Sequence, residues 1–381
     1  PPEANDDRSA VSAASGRACV VFCHGAANGS RLDGFDLVPA LLPVGVALAC
    51  LDFSGAGQSG GEYCSCGHFE RNDLRILLHR LRGAFGFTRF GVWGRGTGAV
   101  AALLHAARDN SLAGVVADSP FSDLWEFTKE LAAGAAPVIL ASPLPHLVRL
   151  MVQQRAGFDI CDINPRSSVG RCRAPILFAR GSDDAVLARW HLEALCAAGG
   201  RQLRERELVE IDGVGHDGPR PGAFVAKAAA FLVHALGLEA RGRDRAALAS
   251  LISERLESDA DAGIRKLSRV PASQMQSFCL GLVMEACARC TAYRGARFLP
   301  CSGLGTPGLR WPHRVSRCPV GIQGRLTFAD SVEVALCWVQ ESCVEAGGGR
   351  VDFIVVSPTK VALTAVTLSA DEAQAADAAG L

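Results

Sequence analysis

The sequence has no net charge, no long basic run and no long apolar run, and each absence excludes a class of partner or setting. Lys and Arg number 39 in total, as do Asp and Glu, so the chain has no overall field that would gather nucleic acid or an anionic membrane. Prolines and charged residues interrupt the best apolar stretches, so none is long enough to span a bilayer. We therefore expect no nucleic-acid partner and no transmembrane segment.

The sequence also lacks the pattern of a signal peptide and of a compact disulfide framework. The first 17 residues are polar and show no basic segment followed by an apolar one. The 15 cysteines are scattered, and several lie in apolar runs, where cysteine behaves as a small hydrophobic residue; examples are Cys19, Cys23 and Cys50. These features predict a reducing, cytoplasmic setting.

Apolar residues make up 49% of the chain, which is enough for a sizeable buried core. From residue 18 to residue 236, short apolar runs alternate with helical patterns, the order typical of an α/β fold with a mainly parallel sheet and helices on both faces. The clearest helices are predicted over residues 73–81 and 99–107. The strand-like runs cover residues 19–23, 46–53, 90–93, 113–117, 175–179 and 207–211.

Changes in sequence texture divide the chain into three predicted parts. Residues 1–17 form a polar N-terminal segment, and residues 18–238 form the α/β domain. Within that domain, Pro-containing and helix-like pieces at about 122–170 interrupt the alternation. We expect them to form a modest cap over the strand ends, where ligands bind in open α/β sheets. Residues 239–381 are predicted to form a helical linker and a small α+β module.

The C-terminal module shows no internal repeat and no motif of a known family. Its apolar patterns predict helices over residues 274–288 and 331–343. Residues 351–366 predict two strands joined by a turn at 357–360, as in a hairpin. The module also contains five residues of the types that bind zinc, but their spacing fits no finger or ribbon, so we predict no metal site. They are Cys287, Cys290, Cys301, His313 and Cys318.

The most informative segment is FGVWGRGTGAVAALLHAA, which begins at Phe90. It reads as a strand, a tight glycine turn and a helix, which is the setting of the nucleophile elbow G-x-S-x-G. Gly94 and Gly98 occupy the outer glycine positions, and Gly96 occupies the central one. An earlier segment, CVVFCHGAANGSR, runs from a strand into His24 and then small residues. Such a loop allows backbone N–H groups to approach a developing negative charge closely.

Residues 18–236 resemble the α/β-hydrolase superfamily, nearest its serine aminopeptidase-like and acyl-hydrolase branch. In that branch the elbow reads like WGRSMGAV, and here residues 93–100 read WGRGTGAV. The register is the same on both sides, so Gly96 is aligned with the nucleophilic serine. Four more segments match the branch: DFSGAGQS at 52–59, ADSPFSDL at 117–124, FDICDINP at 158–165 and GHDGPRP at 215–221.

The resemblance implies roles for residues on both sides of the missing nucleophile. Asp184 would orient the general base, with Asp183 as the alternative if the register slips by one residue, and His216 would be that base. The backbone N–H groups of Ala26 and Thr97 are aligned with the oxyanion donors, although the first of these loops is one residue longer than is usual in the family. The implied ligand is a small acyl- or peptide-like molecule, and no cofactor is implied.

The loss of the serine at Gly96 predicts a catalytically impaired member of this superfamily. Without an Oγ atom, the base has nothing to activate. The remaining positions, His24, Gly25, Gly94 and Gly98, are expected to shape the oxyanion loop and the elbow rather than to react. We therefore predict a pseudoenzyme that keeps the fold of a hydrolase of ester, thioester or peptide bonds and binds a ligand or a protein partner.

Two other interpretations remain open. Thr97 carries a hydroxyl beside the elbow and could replace the serine, although its side chain belongs to the first turn of the helix. Residues 94–99 also satisfy the dinucleotide-binding pattern G-x-G-x-x-A, with Asp118 about 20 residues further on. Two observations count against dinucleotide binding: two strands with hydrolase-type loops precede this one, and the loop that contains His216 would have no role.

Overall fold

The computed structural model describes most of the α/β domain and the later strands, namely residues 17–25, 29–57, 59–135, 137, 142–199, 205–238, 244–258, 297–300, 320–327, 333–344 and 350–357. Over these residues, ten strands form one sheet in the order β6-β5-β4-β3-β1-β2-β10-β9-β8-β7. The strands are β1 Arg17–Cys23, β2 Ala47–Leu51, β3 Phe87–Arg95, β4 Leu112–Asp118, β5 Ile176–Gly181, β6 Arg206–Ile211, β7 Arg297–Pro300, β8 Val320–Thr327, β9 Glu333–Val344 and β10 Arg350–Ser357.

The first six strands are parallel to one another and correspond to the six strands predicted from the apolar runs. Helices connect them: α1 Val38–Leu41, α2 Glu70–Phe85, α3 Thr97–Ala106, α4 Leu124–Ala135, α5 Leu144–Ala156, α6 Pro165–Val169, α7 Arg189–Ala198, α8 Gly222–Ala235 and α9 Arg245–Ser258. Short 3-10 turns cover Arg31–Leu37, Leu42–Val44 and Ile160–Asp162. No helix in the described part of the chain is long and apolar enough to cross a membrane.

Both faces of the central strands β1 and β2 are covered, which explains why these strands are apolar at nearly every position rather than at every second one. In β1, Val20 and Phe22 face the layer that contains α8. The alternate residues Cys19, Val21 and Cys23 face the layer that contains α2 and α3. Because successive strand residues point to opposite faces, one short strand contributes to two hydrophobic layers.

The predicted cap region lies between β4 and β5 in the chain and contains α4, α5 and α6. Its apolar side chains form a third cluster with Val100 and Leu104 of α3. The cluster includes Leu187, three residues beyond Asp184, so the cap packs against the loop that follows β5. The other fully buried members are Phe121, Leu124, Phe158, Ile160 and Ile163.

The C-terminal strands extend the same sheet. β10 pairs antiparallel with β2, with Phe353 opposite Leu51 and Val356 opposite Leu48. The prediction of a helix over 331–343 is wrong, because the structure has strand β9 there, paired with β8 on one side and β10 on the other. The segment is almost continuously apolar at its start, a pattern that fits either element, and the pairing with two neighbours decides in favour of a strand. The predicted helix over 274–288 and the second strand of the predicted hairpin lie outside the described residues.

Candidate active site

The elbow is a sharp turn at Gly96 between β3 and α3. Its backbone has φ 54° and ψ −120°, a combination that only glycine adopts without strain. The turn is held from both sides: the Gly96 N–H donates to the Asp118 carbonyl at 2.8 Å, and the Gly96 carbonyl accepts from the N–H groups of Ala99 and Val100. The position is therefore presented at the carboxyl end of the sheet by β3 and by the first turn of α3.

Close packing requires a glycine at two of the three elbow positions but not at the third. A Cβ atom at Gly94 would overlap the backbone of Gly98, and one at Gly98 would overlap the carbonyl of Cys23. At Gly96 the nearest atoms to such a Cβ would be Gly25 Cα at 3.7 Å and His216 Nε2 at 4.0 Å. Close packing therefore requires the outer glycines, whereas the central position has open space for a side chain beside an imidazole.

His216 meets Asp184 at this open space. Its Nδ1 lies 2.8 Å from Asp184 Oδ2, while Asp184 Oδ1 accepts the N–H groups of Val186 at 3.0 Å and Leu187 at 2.8 Å. Burial raises the pKa of Asp184, but the hydrogen bonds from His216 and from these amides more than offset it and hold the pKa below its usual value. A charged carboxylate keeps the proton on Nδ1 and leaves Nε2 as the acceptor that faces Gly96.

The two aspartates after β5 point to different partners. Asp183 accepts a hydrogen bond from the Ser182 hydroxyl at 2.8 Å, whereas the Asp184 carboxylate is fully buried and contacts the His216 ring. The structure therefore brings together the pair that the resemblance implied first, rather than the pair that a slip of one residue would produce.

Two arginines hold the loop that carries His216. Arg220 binds both carboxylate oxygens of Asp118, at 2.7 and 2.8 Å, and donates to the Gly215 carbonyl at 3.0 Å. Arg95 of the elbow donates to the carbonyls of His216 at 3.2 Å and of Gly218 at 2.7 Å. Arg95 was not among the predicted site residues, although it stands between two elbow glycines, where a side chain can reach the facing loop.

The oxyanion side of the site is only partly described. His24 is buried, and its Nε2 accepts the Phe53 N–H at 3.0 Å, so its proton is on Nδ1 and is donated to the Gly25 carbonyl at 2.6 Å. This bonding fixes the start of the loop that leads to Ala26, which lies outside the described residues. Thr97 opens α3, and the first N–H groups of a helix have no acceptor within the helix.

The alternatives to a hydrolase site find less support in these contacts. Asp118 is fully buried, and Arg220 occupies both of its oxygens, so it offers no free edge to a ribose. The described residues contain no cluster of three or more His, Cys, Asp or Glu side chains suited to a metal. The five cysteines and histidines considered as zinc ligands lie outside the described residues.

Part of this chain is similar in sequence to known proteins. Residues 14–160 match a family model described as serine aminopeptidase, S33. The uncharacterized protein YqkD of Bacillus subtilis (strain 168) is 27% identical over 170 residues, which are 43% of this chain and 54% of that protein. The chain therefore spans about half the length of the curated relative that it matches.

Solved structures with a similar arrangement include an esterase and a lipase. The esterase Pf2001 of Pyrococcus furiosus aligns with a TM-score of 0.45 at 20% identity, over 57% of this chain and 83% of that one. The monoacylglycerol lipase of Paleococcus ferrophilus aligns with a TM-score of 0.44 at 19% identity, over 58% of this chain and 96% of that one.

Proposed function

Because this chain is a member of the α/β-hydrolase superfamily, we propose that it is a serine-hydrolase-like protein that binds an acyl or peptide-like ligand without turning it over. The catalytic impairment follows from one position. Gly96 stands where the nucleophile would stand, while Asp184 and His216 keep the contacts that a general base needs.

The observation that carries this proposal is the open space beside Gly96. A Cβ atom there would lie 4.0 Å from His216 Nε2, so a serine hydroxyl would be within hydrogen-bond reach of the ring. His216 would take the hydroxyl proton, Asp184 would stabilise the imidazolium that forms, and the Thr97 N–H would face the developing oxyanion. Without the hydroxyl, no acyl-enzyme forms, but a carbonyl group can still occupy the same place.

The ligand is a small molecule in this proposal, and the setting is cytoplasmic. The absence of net charge supports the first point, since nothing draws the chain to nucleic acid. The second rests on thiols such as Cys19, Cys23 and Cys50, which are buried, unlinked and have a raised pKa because of burial. A hydrolase of ester, thioester or peptide bonds is the activity that the restored site would have.

Restoring the serine tests the proposal directly. Gly96→Ser should produce covalent labelling by a fluorophosphonate probe and turnover of a short p-nitrophenyl ester. The gain should be several orders of magnitude, because loss of the serine in another triad enzyme lowers kcat by about 10⁶. His216→Ala in the Gly96→Ser background should abolish both signals.

Two results would contradict the proposal. Labelling of the chain that still has Gly96, if Thr97→Ala removes it, would assign the nucleophile to Thr97. A Gly96→Ser variant that folds but neither labels nor turns over would show that the site differs in more than one oxygen atom, and a scaffolding role would then explain the chain better.

A further inference from the structure

A second hydrogen-bonded set of serine, histidine and carboxylate lies beneath the cap. His191, in α7, is fully buried. Its Nδ1 lies 2.8 Å from Ser122 Oγ and accepts the Ser122 N–H at 3.1 Å, and its Nε2 lies 3.0 Å from Glu130 Oε2. These three residues have no part in the site built around Gly96.

The hydrogen bonds determine the protonation state of the ring. Because Nδ1 accepts a backbone N–H, the single proton of a neutral imidazole is on Nε2, where it is donated to Glu130. A second proton would have to go on Nδ1 and would face the Ser122 N–H at 3.1 Å. Ser122 Oγ, 2.8 Å away, could accept that proton, but the Ser122 N–H would lose its acceptor, so the neutral ring is the form that satisfies both the Ser122 N–H and Glu130.

This set joins the cap to the loop beside the candidate site. Ser122 lies four residues after Asp118, whose carboxylate holds Arg220, and its carbonyl accepts the Arg166 N–H at 2.9 Å. Glu130 is on cap helix α4 and also accepts the indole N–H of Trp190, the neighbour of His191. His191 is thus the contact through which α7 fastens α4 to the strand ends.

Aromatic side chains cover the faces of the His191 ring, and the charged groups that act on it are acidic. Trp190 stacks on it at 3.9 Å between centroids, and Phe127 meets it edge-on at 5.9 Å. The charged groups that act on it are Glu130 and Glu126 of α4 and Asp123 before that helix. Burial lowers the pKa of His191, and the hydrogen bond to Glu130 and the charges of the carboxylates only partly oppose this, so the ring is neutral at pH 7.

We propose that His191 is a positioning residue that docks cap helix α4 beside the candidate site, and that protonation of its ring loosens α4 below about pH 6.5. The inference rests on the proposed function, because α4 would control the entry of the ligand proposed for that site. The contact between His191 and Glu130 would then make access to the open space beside Gly96 sensitive to acid.

The direction of the pH effect follows from the coupling between protonation of His191 and docking of α4. The ring takes up a proton more easily when α4 is released than when it is docked, because the pKa is lowered only in the docked state. Docking is therefore at full strength above the pKa of the released ring, near 6.5, and weakens as the pH falls from there toward the lowered value. At pH 5.5, one ring of this kind weakens docking by at most about tenfold.

Hydrogen exchange in the whole chain, with Gly96 unchanged and no ligand present, measures this directly. Protection factors of the α4 amides, corrected for the chemical exchange rate at each pH, should fall by up to about tenfold between pH 7.5 and pH 5.5. The amides of α8, on the opposite layer, should keep their protection and serve as the internal reference. Because neither ligand nor turnover is measured, a negative result here leaves the proposed function standing.

Three variants test whether His191 causes the loss of α4 protection at low pH. His191→Gln keeps a donor toward Glu130 but cannot titrate, so the pH dependence of α4 protection should vanish. Glu130→Gln keeps one acceptor oxygen and removes a charge that favours the imidazolium in the docked state. The pKa of the docked ring then falls further, so the loss of α4 protection between pH 7.5 and pH 5.5 should be at least as large as in the unchanged chain. His146→Asn is the matched control, because it removes another histidine that contacts α4, at Trp125. It should leave the pH dependence of α4 protection unchanged.

Two outcomes would overturn the inference. One is a His191→Gln variant in which α4 still loses protection as the pH falls. The other is a Glu130→Gln variant in which the loss of α4 protection between pH 7.5 and pH 5.5 is smaller than in the unchanged chain, and this second test applies even if His191→Gln fails to fold.

Discussion

Among the described histidines that hydrogen-bond to a carboxylate, His216 and His191 have opposite surroundings. The His216 side chain is 22% exposed, and its partner Asp184 is fully buried. The His191 side chain is fully buried, and its partner Glu130 is 36% exposed. His216 faces a space that contains no hydroxyl, whereas His191 lies against the hydroxyl of Ser122.

The comparison shows that serine, histidine and carboxylate do not make a reactive site merely by being hydrogen-bonded. A general base must be able to gain a proton, and the nucleophile must be reached by a substrate. His191 cannot gain a proton without losing the Ser122 N–H, and Ser122 is fully buried. Under the proposed function, His216 is thus a base that has no hydroxyl to activate, whereas the Ser122 hydroxyl lies beside a histidine with a structural role.

Replacing each of the two carboxylates by its amide should distinguish the role of His216 from that of His191 most strongly. In the Gly96→Ser background, Asp184→Asn should lower kcat by about 10⁴, as loss of the triad carboxylate does in another enzyme, because the imidazole takes the wrong tautomer. Glu130→Gln in that background should change kcat at pH 7.5 only a few-fold. Steady-state hydrolysis of a p-nitrophenyl ester gives both values, and equal losses would remove the distinction between the two histidines.

The His216 loop should also depend on a buried ion pair that His191 does not need. Arg220→Met would leave Asp118 buried and uncompensated, and the free energy of unfolding should fall by about 3–5 kcal/mol. Arg149→Met is the matched control, since its pair with Asp159 is partly exposed and screened, and it should have little effect. Denaturant unfolding measures both, and a similar small loss for each would mean that Asp118 finds another partner.

The two histidine–carboxylate pairs should weaken in different pH ranges. The pKa of Asp184 is lowered in the folded chain, so its contribution to stability is complete above its unfolded value, near 3.9, and is lost as the pH falls through its folded value. The destabilisation caused by Asp184→Asn should therefore be constant between pH 7 and about pH 4.5 and shrink below that. Unfolding curves across this range test it; a penalty that grows as the pH falls toward 4.5, or that stays constant below it, would show that the Asp184 pKa is not lowered.

The parts of the fold and of the candidate site that depend on local sequence patterns could be predicted from the sequence. The six parallel strands follow from short apolar runs, and the elbow follows from glycines that close packing requires, such as Gly94 and Gly98. The pairing of β10 with β2 left no local signal, because it joins segments about 300 residues apart in the chain. The bonds of His191 were hidden for the same reason: Ser122, Glu130 and His191 lie on three separate elements, and nothing in their spacing indicates that they meet.

The smallest expected effect concerns the backbone at Gly96 itself. Its φ of 54° and ψ of −120° are strained for any other residue, so Gly96→Ser should lower the free energy of unfolding by about 1–3 kcal/mol even as it creates a nucleophile. Gly45→Ser is the matched control, because Gly45 also has a positive φ, 85°, with open space around it, but sits in the ordinary left-handed region, where the penalty is about 1–2 kcal/mol.

Denaturant unfolding should therefore show a loss at Gly96 that exceeds the loss at Gly45 by roughly 1 kcal/mol, while only Gly96→Ser labels with the fluorophosphonate probe. Such a result would mean that glycine relieves a strain that the elbow imposes on an active serine, so the chain gains stability where it gives up chemistry. A Gly96→Ser variant as stable as the unchanged chain would argue instead that the elbow relaxes around the new side chain. In that case the Oγ atom would not be held toward His216, and labelling should be weak as well.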